Sequence, residues 1–459
     1  MSFPFDFLRY LNPLWYYHLP PGRPIPYFVD PHKMSDLQKA VIELDSGFST
    51  HEVMLLDGAW QGWNRGVIET DPTKALDIAS IRPSLEDNYR FLRKYFAPVW
   101  SWYVLGIRLL TVRQPLAEIR AFWKTRHVQR IPLQFPSLGH TSYTTFKSSL
   151  VARQPLVSII IPTLNRYTYL KDVLHDLEHQ DYPNFEVIVV DQSEPFYPEF
   201  YRNFNLKIHL IRQKEKALWK ARNQAIRNAR GELILLFDDD SRVESHWIRH
   251  HIQCIDFFKA DISAGVSVSA VGAPVPPHYS FFRWSDQLDT GNVMIRRAVF
   301  TRIGLFDRQF ERQRMGDGEF GLRAYLQGFL NISHPYARRL HLKVGKGGLR
   351  QMGSWDAFRP SSWWAPRPIP SVLYLARRYF GNRVALLLLL QNIPLSLVPY
   401  QWKGSRTKLA LGIPFLVLLF PLVAWQVIRS WRIASRMLKE GPKIEPIASD
   451  PAPSLSPNG

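Results

Sequence analysis

Short apolar runs alternate with helix-spaced apolar positions along the middle of the chain. Leu156–Ile161 is apolar except for one serine, and such runs are typical of strands buried on both faces of a sheet. Tyr169–His179 follows with apolar residues three and four positions apart, which indicates an amphipathic helix. This alternation predicts an α/β fold with parallel strands and right-handed crossovers. Further predicted elements are strands at Phe185–Val190, Leu206–Ile211 and Leu233–Phe237 and a helix at Ala217–Ala229.

The last of these strands runs directly into three consecutive acids. Gly231–Asp240 reads Gly-Glu-Leu-Ile-Leu-Leu-Phe-Asp-Asp-Asp. The carboxylates therefore follow a central strand at its carboxyl end, where open α/β sheets bind ligands. Adjacent carboxylates repel one another and are poorly buried unless a cation joins them. Oxygen ligands favour Mg²⁺ or Mn²⁺, whereas the alternative interpretation is a solvated acidic turn.

Residues 1–150 show weaker patterns. The segment Glu52–Glu69 has β-like character around Val53–Leu56 and Val67–Ile68. The segment 88–125 looks helical, and within it Tyr95–Leu110 is apolar and aromatic but is interrupted by a proline and an arginine. A core helix is the favoured interpretation of Tyr95–Leu110, and an interfacial membrane helix is the second. The whole region is predicted to be an accessory part of uncertain fold.

Two apolar segments near the C-terminus predict membrane attachment. Val384–Leu390 is strongly apolar and continues to Tyr400, and Leu409–Ile428 is 20 residues without a charge, long enough to span a bilayer. Basic residues flank the second segment on both sides, so a transmembrane hairpin and a pair of re-entrant or interfacial helices both stay open. Buried soluble helices are the remaining alternative.

Composition limits the partners and the compartment. The 459-residue chain has a formal net charge of +19, which calls for an anionic partner such as nucleic acid, nucleotide phosphates or an anionic membrane. No nucleic-acid recognition motif accompanies the charge, which favours phosphates and lipid. The only cysteine, Cys254, excludes an internal disulfide and favours a reducing compartment.

Several motifs in a fixed order carry a resemblance to a known family. Val157–Arg166 reads Val-Ser-Ile-Ile-Ile-Pro-Thr-Leu-Asn-Arg, and Gly231–Asp240 ends in the acidic triplet. The other matching segments are Val189–Asp191, Ala221–Ile226, Thr290–Arg297, Ile303–Asp307 and Gly316–Arg323. Together they resemble the family 2 glycosyltransferases, which have the GT-A fold. The resemblance covers roughly residues 155–345 and implies transfer of a sugar from a nucleotide donor.

The resemblance also implies domains and a donor site. The expected parts are an accessory region at 1–150, a GT-A domain at 151–350, membrane-associated helices at 351–445 and a disordered tail at 446–459. A helix or turn cap is the alternative for Asp191, and a solvated helix arginine is the alternative for Arg222. The residues expected to bind the nucleotide-sugar are Pro162, Thr163, Asn165, Arg166, Asp191, Arg222, Asp238, Asp239, Gly291 and Asn292.

A metal site and a base follow from the same resemblance. Asp240 and, in some members of the family, a histidine at the position of His341 bind the metal, expected to be Mg²⁺ or Mn²⁺; an ordinary surface or core histidine is the alternative. Asp317 matches the catalytic base, although the usual glutamate before it is Gly316 here. Glu319 is a rival for the base role, because both acids lie at a helix start that stabilises a carboxylate.

The expected activity is inverting, metal-dependent transfer to a hydroxyl of a lipid-linked or polysaccharide acceptor in cell-envelope glycan synthesis. A Gln-x-x-Arg-Trp motif, which processive members carry, is absent from the sequence, so transfer of one sugar per binding event is expected. The predicted location is the cytoplasmic side of the inner membrane. The alternatives are a sugar nucleotidyltransferase, which would need a glycine-rich loop after the first strand, and an inactive membrane scaffold of the same fold.

Overall fold

The chain forms two compact units that are interleaved along the sequence. The computed structural model describes residues 3–272, 274–286, 288–344, 348–349, 357–360, 362–397 and 406–447, without the side chains of 406–418. Unit 1 comprises Met1–Thr144, Pro276–Asp286 and Gly353–Leu438, and unit 2 comprises Thr145–Val275, Gln287–Met352 and Lys439–Gly459. The division into domains predicted at residues 150, 350 and 445 stays a prediction, and most of the predicted tail lies outside the described residues.

Unit 2 is built on a sheet of eight strands in the order β3-β2-β1-β4-β8-β6-β9-β5. The first four strands in this order are parallel, β8 is antiparallel to both β4 and β6, β6 is parallel to β9, and β5 is antiparallel to β9. The strands are β1 (Val157–Thr163), β2 (Phe185–Asp191), β3 (Ile208–Arg212), β4 (Leu233–Phe237), β5 (Ser241–Val243), β6 (Ile262–Ser269), β8 (Asn292–Arg296) and β9 (Asn331–His341).

Helices accompany this sheet. They are α8 (Ser149–Arg153), α9 (Tyr167–Glu178), α10 (Leu218–Asn228), α11 (Trp247–Phe257), α12 (Arg297–Ile303) and α13 (Gly316–Leu326). The apolar residues of α9 and α11 join those of β1, β2 and β4 in one buried cluster, while α10 contacts β1 and β2. Because every residue of β4 is buried, this strand lies in the middle of the core. The predicted GT-A-type α/β fold is confirmed, with the predicted strands and helices displaced by at most two residues at their starts.

Unit 1 is mainly helical. Its helices are α1 (Leu8–Leu11), α2 (Asp36–Lys39), α3 (His51–Asn64), α4 (Leu85–Tyr95), α5 (Pro98–Leu110), α6 (Pro115–Lys124), α7 (Ser142–Thr145, shared with unit 2), α14 (Pro370–Leu375), α15 (Gly381–Leu397) and α16 (Arg406–Glu440), and its strand is β7 (Arg283–Trp284). The prediction of β-like structure around Val53–Leu56 and Val67–Ile68 is wrong, because the first lies in α3 and the second in no described strand. The side chain of Thr50 accepts a hydrogen bond from the backbone N–H of Val53 and caps α3, and this cap, with apolar residues at helical spacing, outweighs the strand propensity of a single valine.

One helix among the described side chains is long and apolar enough to cross a membrane. It runs continuously through Pro370–Leu397, and 39% of its most apolar window is buried inside the protein. The predicted apolar segment Val384–Leu390 lies within it, whereas residues 398–400 lie outside the described part of the chain. The second predicted segment, Leu409–Ile428, belongs to α16, but its side chains are described only from residue 419 onward.

The favoured interpretation of Tyr95–Leu110 as a core helix holds for only part of the segment. Only Ser101, Val104 and Leu105 of α5 are buried. Trp102 and Leu110 are 56% and 85% exposed. The segment is apolar around most of its circumference, so its sequence did not show which face the rest of the unit covers.

Candidate active site

Three parallel strands deliver polar side chains to one edge of the unit 2 sheet. Thr163 is the last residue of β1 and pairs in register with Asp191, the last residue of β2. Asp238 follows the last residue of β4, the strand on the other side of β1. The carboxyl ends of parallel strands meet at such an edge, which is why residues far apart in sequence come together here.

The three acids of the triplet have different partners. Asp238 accepts hydrogen bonds from Arg222 at 2.9 Å and from Arg339 at 2.8 Å. Asp239 is buried and accepts from the Thr163 hydroxyl at 2.8 Å and from Arg166 at 2.9 Å. Asp240, also buried, lies 3.0 Å from the same Arg166 guanidinium and 3.4 Å from Nε2 of His341. The triplet is therefore a charged network and not a solvated turn.

The protonation of two triplet members is shifted in opposite directions. Burial raises the pKa of Asp239 to about 6, although the Arg166 guanidinium opposes the shift. Burial also acts to raise the pKa of Asp240, but the hydrogen bond from His341 and the nearby charges outweigh it, and the net pKa is lowered. Asp240 is thus the member of this pair that is held firmly in the ionised form.

Three side chains of this network offer donor atoms for a metal. The donor atoms of Asp238, Asp240 and His341 lie within 4.8 Å of one another. Strand pairing produces this arrangement, because β5 begins directly after Asp240 and its Ser241 pairs with His341 on β9. Two carboxylates and one imidazole fit a Mg²⁺ or Mn²⁺ ion, since both ions accept oxygen ligands and Mn²⁺ also accepts imidazole readily.

Arg339 is a residue that the sequence prediction missed. Its buried guanidinium donates to Asp238 and Asp289, both at 2.8 Å, to Ser267 at 2.7 Å and to Ser241 at 3.0 Å. Burial alone would lower the pKa of Arg339, but the carboxylates of Asp289 and Asp238 outweigh it and raise the pKa above its ordinary value. The available signal was its position two residues before His341, because alternate residues of a strand share a face.

Gly291 and Asn292, both predicted to bind the donor, have different structural roles. A Cβ atom on Gly291 would lie 2.0 Å from Nη1 of Arg339 and 2.2 Å from Oδ2 of Asp238, so glycine leaves room for that ion pair. Asn292 is fully buried. Its amide donates to the carbonyls of Val266 and Ala337, and its oxygen faces the ring nitrogens of Trp247 and His251. The structure therefore places Asn292 inside the fold, where its amide holds strands together, and its predicted role as a donor ligand stays a prediction.

The loop after β1 contacts the loop after β2. Pro162 is buried within β1, and Asn165 has a left-handed backbone conformation with φ of 55°. The Asn165 backbone N–H donates to the Ser193 hydroxyl at 2.8 Å, and its side-chain oxygen accepts from the Glu194 N–H at 2.9 Å. Arg166 then reaches the acids and also donates to the Val344 carbonyl at 3.1 Å. Together these bonds hold the loop at the sheet edge.

Asp191 sits behind this loop in a largely enclosed position. It accepts hydrogen bonds from the hydroxyls of Tyr167 at 2.7 Å and Tyr201 at 2.8 Å and from the Ser193 N–H at 2.8 Å. Burial and the Asp191 carboxylate raise the pKa of Tyr167 to about 12. The bond to the Ser193 N–H caps the turn after β2, as the alternative interpretation of Asp191 predicts. Such a cap is compatible with a role in nucleotide recognition.

The departure from the family pattern at Gly316 has a steric cause. A Cβ atom there would lie 2.5 Å from Cζ2 of Trp219. The Trp219 ring also lies 5.3 Å from the Arg222 guanidinium, measured to the ring centroid, and Arg222 donates to Asp238. Packing on α10 therefore connects the start of α13 to the acidic triplet.

The two rival acids at the start of α13 differ sharply. Asp317 is half-buried, and its carboxylate accepts from the Gly318 N–H at 2.8 Å. Glu319 is fully buried and bonded at 2.8 Å to Arg323. Arg323 in turn donates to two backbone carbonyls. Glu319 thus forms a buried ion pair within α13, whereas the side chain of Asp317 is partly accessible to solvent.

One sequence stretch is described only in part. Gly345–Arg350 reads Gly-Lys-Gly-Gly-Leu-Arg, and these glycines and basic residues predict a flexible loop suited to a diphosphate. Within it, the Gly348 N–H donates to the Leu164 carbonyl at 2.9 Å. Residues 345–347 and 350 lie outside the described chain.

Residues 158–307 match the family model described as glycosyl transferase family 2. They contain the acidic triplet, Asp191, Arg222 and the Gly291–Asn292 pair, which is the order of motifs expected for that family. This segment is a family 2 glycosyl transferase domain. The match ends before Asp317, Arg339 and His341, and of these three residues Arg339 and His341 contact the acidic triplet directly.

Two curated relatives are similar to parts of this chain. The poly(ribitol-phosphate) beta-N-acetylglucosaminyltransferase TarS of Staphylococcus aureus strain Mu50 is 33% identical over 112 residues, which cover 23% of this chain and 20% of TarS. Chondroitin synthase of Escherichia coli is 29% identical over 149 residues, covering 31% of this chain and 21% of the synthase. The chain thus spans about a fifth of the length of these relatives.

A solved structure of TarS is also similar. The structure of residues 1–349 in complex with UDP-GlcNAc aligns with 62% of this chain and 92% of the solved chain, at 19% identity and a TM-score of 0.40.

Proposed function

We propose that the protein is a glycosyltransferase that moves a sugar from a nucleoside-diphosphate donor to a hydroxyl of a polysaccharide or lipid-linked acceptor in cell-envelope glycan synthesis. The main support for this proposal is that donor atoms of Asp238, Asp240 and His341 lie within 4.8 Å of one another. The two acids belong to the segment that matches family 2. Arginines border the same cluster, which suits an anionic donor.

The donor side of the site would bind the nucleotide through the two loops at the sheet edge. Asn165 and Asp191 offer polar groups for the base and ribose. Arg166, Arg222 and Arg339 already face carboxylates, so a diphosphate would enter a region where guanidinium groups are positioned in advance. This arrangement stabilises negative charge as it develops on the departing diphosphate.

A divalent ion held by Asp240, His341 and Asp238 would supply Lewis-acid stabilisation of the diphosphate leaving group. Asp240 is the member best suited to this role, because it is buried beside the His341 ring at 3.4 Å and directly precedes the strand that pairs with β9. Asp238 is shared between Arg222 and Arg339, so it would contribute to the ion and orient both guanidinium groups.

On the acceptor side, Asp317 would accept the proton of the attacking hydroxyl. The new bond forms between that oxygen and the anomeric carbon while the bond from this carbon to the diphosphate breaks, and attack from the opposite face inverts the anomeric configuration. The burial of Glu319 and its bond to Arg323 support Asp317 as the base.

We further propose that the enzyme adds one sugar per binding event at the cytoplasmic face of the inner membrane. The absent Gln-x-x-Arg-Trp motif supports single addition. The apolar helix Pro370–Leu397 and the net charge of +19 support attachment to an anionic membrane. The names of the two relatives support a polymer acceptor.

The test is a panel of nucleotide-sugars offered to the purified full-length chain with Mg²⁺, Mn²⁺ or a chelator. A donor should raise the midpoint of thermal unfolding in a metal-dependent manner. Asp240→Asn should abolish the metal-dependent part of this shift, whereas the exposed acid variant Asp36→Asn should leave it unchanged. Product analysis with the stabilising donor should then show an inverted glycosidic bond.

Two results would overturn the proposal. If no donor raises the unfolding midpoint with either metal, the protein does not bind a nucleotide-sugar. Release of pyrophosphate from a nucleoside triphosphate and a sugar phosphate, without glycoside formation, would instead identify a nucleotidyltransferase.

A further inference from the structure

Helices α5 and α6 of unit 1 form a hairpin that is apolar on two sides. Their inner sides carry the buried residues Val104 and Leu105 on α5 and Ala121 and Phe122 on α6. This burial, together with contacts between the two helices and α4, accounts for the stability of the hairpin. An amphipathic surface helix normally has polar residues opposite its buried face, and these two helices depart from that rule.

The outer sides carry a second set of apolar residues at helical spacing. On α5 these are Val99, Trp102, Gly106 and Leu110, three or four positions apart, and on α6 they are Leu116, Ile119 and Trp123. All the large ones are exposed, with Trp102 at 56%, Leu110 at 85% and Leu116 at 83%. A Cβ atom on Gly106 would meet nothing within 4 Å. We refer to these seven residues as the outer stripe.

The turn between the helices extends the outer stripe at its tip. Val112 lies between Leu110 and Leu116 in sequence and is 78% exposed. Its φ of 51° is unfavourable for a β-branched residue. The tip of the hairpin therefore combines three exposed aliphatic side chains with a strained backbone. Both features are energetically unfavourable in water and are typical of interaction sites.

The exposed charges carried by the hairpin itself have one sign. Exposed basic residues in the segment 97–130 are Arg113, Arg120, Lys124, Arg126 and Arg130. Lys124 pairs with Glu86 of α4. The only acid of the segment, Glu118, is fully buried and bonded to Tyr89 and Arg108. The hairpin thus presents apolar and cationic groups together.

A cavity at the base of the hairpin has the same character. It has a volume of about 370 Å³ and is lined by Arg93, Phe96, Pro98, Arg126, Val128 and Arg130. Three of the six lining residues are arginines, and none is acidic. A guanidinium-rich cavity beside exposed aromatic and aliphatic side chains fits an anion that is attached to an apolar body, as a phospholipid headgroup is.

The hairpin also contacts the same short helix as the candidate membrane span. Arg108 on α5 donates to the Tyr10 hydroxyl of α1 at 3.4 Å, and the amide of Gln391 on α15 donates to the Leu11 carbonyl of α1. Helix α1 therefore connects the hairpin with α15 within unit 1. This connection favours a lipid bilayer over a soluble polyanion as the partner of the hairpin.

We propose that the α5–α6 hairpin is a second membrane-binding element, which inserts its outer stripe at the boundary between headgroups and acyl chains of an anionic bilayer. Trp102 and Trp123 lie at headgroup depth, the tip residues reach the acyl chains, and the arginine-lined cavity binds a lipid phosphate. The inference extends the membrane attachment proposed above and depends on neither sugar transfer nor a metal.

The first test places a probe on the tip. Leu116→Cys in a Cys254→Ala background is labelled with an environment-sensitive fluorophore, and the full-length chain is mixed with phosphatidylcholine vesicles with or without phosphatidylglycerol. The label should shift to shorter wavelength and be quenched by brominated lipid only with anionic vesicles. The matched control is Leu37→Cys on α2, where the leucine is 69% exposed, and its label should stay aqueous.

The second test removes charge. Arg126→Glu with Arg130→Glu should weaken insertion of the Leu116 label by at least about tenfold, because basic residues near an anionic surface each strengthen binding to it. Lys39→Glu on α2 should have little effect. Inorganic phosphate alone should leave the label aqueous.

Three outcomes would overturn the proposal. The emission of the label at residue 116 could stay unchanged with anionic vesicles, which would show that the tip does not insert. It could be shielded without vesicles in a concentration-dependent manner, which assigns the outer stripe to a second copy of the chain. Free phosphate could occupy the cavity while vesicles do nothing, which leaves a soluble anion site. A donor-induced thermal shift that persists in any of these cases would show that the proposed transferase activity survives independently.

Discussion

Arginine is used in two opposite ways in the two units. In unit 2, Arg166, Arg222 and Arg339 are each engaged by one or two carboxylates at about hydrogen-bond distance. On the α5–α6 hairpin of unit 1, arginines such as Arg113 and Arg120 are exposed among apolar side chains. The first arrangement holds charge inside the protein, and the second offers it outward.

This difference indicates two kinds of partner. A buried guanidinium is tolerated only with carboxylates around it, because an uncompensated charge inside a protein is strongly destabilising. Such a group has a fixed direction and suits recognition of one ligand in one orientation. Exposed arginines act additively and weaken as salt increases, which suits an extended anionic surface. The comparison predicts graded consequences for substitution in the two units.

The largest effect is expected at the start of α13. Asp317→Asn should lower kcat by about 10²–10⁴-fold, the range for loss of a general base, while donor-induced thermal stabilisation is retained. Glu319→Gln is the matched control: it weakens the partner of the buried Arg323, so it should lower the unfolding temperature and change kcat far less. Full activity of Asp317→Asn would remove Asp317 from the mechanism.

The next effect tests the buried arginines directly. Arg339→Met removes the partner of Asp238 and Asp289, and the loss of one side of a buried ion pair destabilises by about 3–5 kcal/mol. Arg242→Met is the control, because Arg242 is 44% exposed in its pair with Asp176 and surface pairs contribute about 0–1 kcal/mol. Urea unfolding of the two variants measures the difference. Equal losses would show that the site arginines behave as surface groups.

A smaller effect compares packing in unit 2 with the open outer stripe. Gly316→Ala brings a methyl group against Trp219 and should destabilise by about 1–3 kcal/mol, as overpacking does. Gly106→Ala meets nothing within 4 Å and should stabilise α5 by about 0.5–1 kcal/mol, because alanine favours helices. Thermal unfolding should show a lower midpoint for Gly316→Ala and a higher midpoint for Gly106→Ala. Two shifts in the same direction would contradict the prediction.

The last effect, which is small near neutral pH, concerns the buried histidines of unit 2. Burial lowers the pKa of His251 to about 3, against an ordinary value of 6.5, and burial lowers that of His334 as well. Below pH 6.5 the unfolded chain binds protons that the folded chain does not, so stability falls as the pH falls from 6.5 towards 3. His251→Gln should reduce this slope by up to about 1.4 kcal/mol per pH unit. An unchanged slope in acid unfolding would contradict the assignment.

The sheet was predictable because its parallel strands are buried on both faces. β1, β2 and β4 read as continuous apolar runs, and the acids that follow them meet at one edge for geometric reasons. The positions of Thr163, Arg166 and Asp240 near strand ends depend on local sequence in the same way. The expectation that Asp240 and His341 lie close together also agrees with the structure, although the binding of a metal by them stays a prediction.

Other features depended on contacts that no local pattern contains. Arg339 lies in a strand without an apolar run, and its partner Asp238 is about a hundred residues away. Asn292 lies in a recognisable motif, but only the packing of α11 and β6 shows that its amide is used internally. For α5, periodicity shows which residues share a face and leaves open which face is covered.

Helix α10 has a consequence for how this lineage of sequences can vary. Trp219 and Arg222 are three residues apart on that helix, so one turn touches both the helix start that carries Asp317 and the carboxylate of Asp238. An insertion or deletion within this turn would displace both contacts at once. Length variation should therefore be tolerated on either side of α10 and excluded within it, and the identities of residues 219 and 316 should change together, with a smaller side chain at 219 accompanying a larger one at 316.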